Sequence, residues 1–119
     1  MTPFGKFLRN LRLEKQLLLK DMAEMLGVTS AYLSAVEHGK KGAPSAALIS
    51  NLENLLKLTT EEKKELRRTA AASNTSVSIP SKVSPFAFET ANAFARKLPD
   101  LSERQLRKIQ GVLEDEDES

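Results

Sequence analysis

The side chains of this 119-residue chain best suited to chemistry gather between Lys20 and Ser45. Ser30, Ala31, Ser34 and Ala35 recur at helical spacing, so four small side chains share one face. Lys20, Lys40 and Lys41 flank them in sequence with positive charge, and His38 and Ser45 add polar groups. Such hydroxyls and ammonium groups hydrogen-bond and neutralise anions; they do not form an acid–base pair or an activated nucleophile. Two short helices must position them. Met22, Ala23 and Leu26 lie on one face of the first, Gly27 supplies the corner, and Thr29 is a suitable N-cap for the second. In that second helix Leu33 and Val36 turn inward. Helix, glycine turn, and a helix with small polar residues on its free face: this is the form of a helix-turn-helix.

Composition removes most other chemistries. The chain has no cysteine, which excludes disulfides, thiol catalysis and cysteine-held zinc. Its single histidine gives no histidine pair for a metal, there is no phosphate-binding glycine loop, and we expect no cofactor and no enzymatic activity. No apolar run approaches 18 residues and no signal-peptide pattern follows Met1, which reads as a cytoplasmic protein without a membrane partner. Charge is uneven. Residues 1–72 carry 12 Lys and Arg against 8 Asp and Glu, whereas residues 73–119 carry 6 against 8. A basic front suits binding to a polyanion.

The pattern predicts an all-α chain. A first helix opens with Thr2 and Pro3 and buries Phe4, Leu8 and Leu11. Helices follow over about 19–26 and 30–37, then a glycine-rich loop from His38 to Pro44. A fourth helix starts after Ser45 and buries Leu48, Ile49, Leu52 and either Leu55 or Leu56. Thr59 and Glu62 have capping-box spacing for a fifth. Residues 1–72 thus form a five-helix domain, and residues 73–85, rich in Ser, Thr, Asn and Pro, form a linker. Val77 and Ile79 alternate with serines, which also fits a short strand pairing with its equivalent in a second chain. Beyond Pro85, Phe86 or Phe88, Ala91, Phe94 and Leu98 trace one apolar stripe, and Leu106, Ile109, Val112 and Leu113 trace another. Two such helices over 86–113 carry more apolar surface than they can hide alone, so we expect dimerisation; the alternative is that they fold back onto residues 1–72. Residues 114–119 are an acidic tail.

The motif and its surroundings resemble the XRE, or lambda-repressor-like, family of helix-turn-helix regulators. The resemblance runs through Phe4 to Arg12, Met22 to Thr29, Leu33 to Gly39, Pro44-Ser45 and the leucine-rich fourth helix. It implies the five-helix fold, a homodimer and double-stranded DNA as partner. It also implies that Arg12 and Glu37 form a buried ion pair tying the first helix to the third. The chain departs from the family where members carry Ser or Thr and then Gln at the start of the second helix; here stand Leu18 and Leu19.

On that frame Ser30, Ala31, Ser34 and Ala35 face the base edges, where serine and alanine discriminate less sharply than Gln or Arg. Lys40 and Lys41 are the leading phosphate contacts, followed by His38, Ser45, Lys20 and the free N–H groups opening the second helix. Tyr32 either packs inward or offers its hydroxyl to a phosphate. The expected function is repression from a palindromic operator. Two further partners follow from relatives: an ImmA/IrrE-type metallopeptidase that relieves repression by cutting between about Thr75 and Phe94, or a toxin bound by the C-terminal segment of an antitoxin.

Overall fold

Every described α-helix but one begins where a side chain can satisfy N–H groups of its first turn. The computed structural model describes residues 1–115, and every regular element among them is helical. Thr2 caps α1 (Pro3–Glu14), its hydroxyl accepting from the Gly5 N–H at 3.0 Å. The exception is α2 (Leu19–Leu26), where Leu18 occupies the cap and supplies no side-chain bond. Gly27 ends α2 at φ 70°, a left-handed turn in which the Val28 N–H donates to the Ala23 carbonyl at 3.0 Å. Thr29 then caps α3 (Ser30–Glu37), accepting from the Tyr32 N–H at 3.0 Å.

Ser45 caps α4 (Ala46–Leu55), and Thr59 and Glu62 form a reciprocal capping box on α5 (Thr60–Ala71). Leu56, not Leu55, completes the buried side of α4, because the chain leaves the helix there and turns Leu56 and Leu58 into the core. The first compact unit spans Met1–Val77. In it α1 packs on α3 and α5, α2 on α3 and α4, and α4 on α5. Phe4, Leu8, Met22, Leu33, Val36, Leu52 and Leu66 are fully buried, so all five helices contribute to one core. Burying each such side chain is worth about 1.5–3 kcal/mol.

The sequence that reads as a linker from residue 73 begins inside this unit. Ser73 is buried, its hydroxyl accepting from the Phe4 N–H at 2.9 Å and donating to the Thr69 carbonyl at 2.6 Å. No strand forms among the described residues, and Val77 and Ile79 are exposed. The second unit begins at Ser78. Ser84 caps its α6 (Pro85–Lys97), a 3₁₀ turn follows over Leu98–Asp100, and Ser102 with Gln105 forms the capping box of α7 (Glu103–Glu114). Neither α6 nor α7 has a buried residue. Phe86 is 75% exposed and Leu113 73%; Phe88, Phe94 and Leu98 are also exposed, and Ala91, Leu106 and Ile109 are half-buried. The acidic tail lies outside the described residues from residue 116 onward.

Candidate nucleic-acid interface

The free face of α3 begins at its first turn. Ser30 and Ala31 are exposed, while Ser34 and Ala35, one turn on, are half-buried. Leu33, Val36 and Glu37 occupy the opposite face and are buried. Tyr32 is half-buried with its ring against the core, which is the inward of its two expected placements. Thr29 accepts from the third N–H of the helix, and no side chain caps the Ser30 and Ala31 N–H groups, which point along the helix axis where an anion is favoured.

Lys20, in the first turn of α2, and Lys40 and Lys41, after α3, are exposed and have no carboxylate partner among the described residues. Their positions are fixed by backbone. At the end of α3 the Gly39 N–H donates to the Val36 carbonyl and the Lys40 N–H to the Ala35 carbonyl, at 3.0 and 2.9 Å, with Gly39 at φ 78°. His38 folds back, Nδ1 lying 2.8 Å from the Ser34 carbonyl. A carbonyl only accepts, so Nδ1 carries hydrogen. In that tautomer Nε2 is the ring's acceptor. Ser45 uses an oxygen lone pair to accept from the Leu48 N–H at 3.2 Å, leaving its hydroxyl hydrogen for another partner.

Helix α3 is held at its far end by two devices. The Arg12 guanidinium grips the Glu37 carboxylate twice, Nε to Oε2 at 2.8 Å and Nη2 to Oε1 at 3.2 Å, and gives its Nη1 to the Leu17 carbonyl at 3.1 Å. The Glu37 side chain is only 4% exposed. Its hydrogen bonding to Arg12, with the opposite charge, raises the arginine pKa against the opposing effect of burial. Beside this pair, α1 approaches α3 so closely that a Cβ on Gly5 would lie 2.5 Å from the Glu37 carbonyl oxygen and 2.7 Å from that of Val36.

The family model described as Helix-turn-helix matches residues 8–63, from within α1 to the first turn of α5. These residues form an XRE-type helix-turn-helix domain. Two proteins of Bacillus subtilis (strain 168) are similar to it: the uncharacterized HTH-type transcriptional regulator RghRB and the HTH-type transcriptional repressor RghR. Each is 41% identical over 61 residues, covering 51% of this chain and 44% and 45% of those proteins. The match therefore spans less than half the length of these curated relatives. No solved structure matches the chain significantly.

Within the XRE-type domain, the structure brings Arg12 to Glu37 and sets Ser30 and Ala31 on an open face. Two positioning residues carried no chemical signal in the sequence. Gly5 is an isolated glycine inside a helical pattern, and that oddity is the one local clue to a close approach. Ser73 lies among other serines after α5, and nothing nearby distinguishes it as the partner of a residue at the chain's start. Among the described residues there is no cluster of His, Cys, Asp and Glu able to hold a metal, and no helix long and apolar enough to cross a membrane.

Proposed function

We propose that this protein is a sequence-specific transcriptional repressor that binds double-stranded DNA as a homodimer on a two-fold symmetric operator. The observation that carries the reading is the open face of α3, Ser30 and Ala31 foremost, in a helix-turn-helix domain flanked by unpaired lysines. That face enters the major groove, where serine hydroxyls pair with base edges and alanine methyls meet thymine methyls, with Ser34 and Ala35 behind them. Lys20, Lys40, Lys41 and the Ser45 hydroxyl hold phosphates and set the register. His38 lies next to them in sequence, and Tyr32 braces the helix from inside.

A dimer sets two copies of α3 about 34 Å apart, one turn of DNA. The exposed apolar faces of α6 and α7 support that assembly, since a chain rarely leaves so many large apolar side chains in water. The name of one similar protein, a transcriptional repressor, supports repression over activation. Exposed residues 78–82 offer a partner metallopeptidase a cutting site, and a cut there separates dimer from operator binding.

The test is selection from a random duplex library, followed by salt titration on the selected site. We expect a symmetric consensus and a steep fall of affinity with salt. Replacing Lys40 and Lys41 together by Ala should flatten the slope of log K against log salt by about 2. A library that yields no symmetric site removes the proposal. A co-purifying toxin captured by α6 and α7 in place of a second copy would favour an antitoxin instead.

A further inference from the structure

α7 is amphipathic, with a basic first half and an acidic end. At 100° per residue, Leu106, Ile109, Val112 and Leu113 share one side of the helix. Glu103 opens the helix and Arg104, Arg107 and Lys108 follow in its first half, which leaves that half basic, and Glu114 lies at the negative pole of the backbone dipole with Asp115 next to it. The sequence continues Glu116, Asp117, Glu118, so the polarity extends beyond the helix. The acidic end is unfavourable in an isolated helix. α6 has the opposite and favourable order, with Glu89 early and Arg96 and Lys97 in its last turn.

This difference decides which neighbour suits α7. Folding α7 back along α6 would set Arg104 beside Arg96 and Lys97, and Glu114 beside Glu89, like against like at both ends. In the structure the two helices do not pack side by side. A second copy of α7 running parallel would also set like charges together. Running antiparallel, it sets the basic half of each copy along the acidic end of the other and opposes the two dipoles.

We propose that two chains join through α7 packed antiparallel on α7 of a second copy, Leu106 of one opposite Leu113 of the other, with Ile109 near the two-fold axis. The inference rests on the dimer of the preceding section and adds its geometry. Helix rise puts Leu106 and Leu113 about 10 Å apart along one helix, so direction is readable by cross-linking.

The native chain has no cysteine, which makes single substitutions clean reporters. Full-length Leu106→Cys and Leu113→Cys chains are oxidised with glutathione disulfide, separately and as a mixture in which one carries a size tag. The expected product is a disulfide between the two different variants, several-fold more abundant than either disulfide between identical chains. Identical-chain disulfides from each variant alone mean a parallel pair and overturn the proposal. A dimer that yields neither product uses another surface and overturns it too. Sedimentation of the unmodified chain is the second measurement. The dimer dissociation constant should rise several-fold between about 0.05 and 0.5 M salt, because the end charges attract. A dissociation constant that falls with salt refutes the antiparallel order. A chain that stays monomeric throughout overturns the dimer itself, a separate failure from wrong direction.

Discussion

Replacing Arg12 by Met tests whether the buried pair or apolar packing holds α3 in place. The substitution keeps an unbranched apolar stem and leaves the Glu37 carboxylate, 4% exposed, without the donors now at 2.8 and 3.2 Å. An uncompensated buried charge costs about 3–5 kcal/mol, which in a unit this size lowers Tm by roughly 12–40 °C. The double replacement Arg12→Met with Glu37→Leu removes the charge as well, and such exchanges are about neutral or slightly stabilising. The two variants should therefore differ by at least about 2 kcal/mol, with the double variant the more stable. Urea unfolding of the full-length chain by circular dichroism, with thermal melts alongside, measures both. In the native protein the pair raises the Arg12 pKa, so the arginine's own share of the stability is present below the ordinary arginine value and is lost only in strong alkali. Melts from neutral to mildly alkaline pH should show no loss from this group. If the single and double variants unfold together, the pair does not hold a buried charge and the account of α3 is wrong.

Three smaller changes test other contacts. Gly5→Ala sets a methyl against two backbone carbonyls at 2.5 and 2.7 Å, so we expect a loss of about 1–3 kcal/mol despite alanine's better helix propensity, and a stabilised variant would disprove the close approach. Ser73→Ala leaves the buried Phe4 N–H without its 2.9 Å acceptor and should lower the urea midpoint by an equivalent of about 1–3 kcal/mol; an unchanged midpoint would return Ser73 to the linker. Leu18→Ser provides the cap that α2 lacks and should raise stability by about 1 kcal/mol in the same assay, whereas no gain would show that the exposed leucine already has a compensating contact.

What the sequence discloses depends on how far apart the interacting groups lie along the chain. Thr2, Thr29, Ser45, Thr59 and Ser102 are caps whose partners lie three residues on, and spacing alone marks them. The apolar stripes of α1, α2 and α3 are equally local, as is the turn at Gly27. Ser73 is the opposite case. Its partner is 69 residues away, and its neighbours Asn74, Thr75 and Ser76 have the same linker-like composition. Gly5 is intermediate, since the cost of glycine in a helix is visible while the carbonyls that require it are not. For α6 and α7 periodicity shows the stripes but not what covers them, and only the order of charge along each helix separates one neighbour from another.

The same contrast bears on how plain the proposed reading face is. Serine and alanine have short side chains, so reaching base edges with them requires the α3 backbone to lie close to the floor of the groove. A long Gln or Arg can absorb a small displacement of its helix; these residues cannot. The chain accordingly places its restraints on the position of α3 rather than on its tip: the double grip of Arg12 on Glu37 and the bare approach of Gly5 fix the α1–α3 contact, and the Ser73 hydroxyl ties the start of α1 to the end of α5. Loosening any one of them should therefore weaken operator binding by more than its loss of global stability, measured at a temperature where the domain remains folded. Equal affinity in a folded Gly5→Ala variant would separate the placement of α3 from recognition and sink this link.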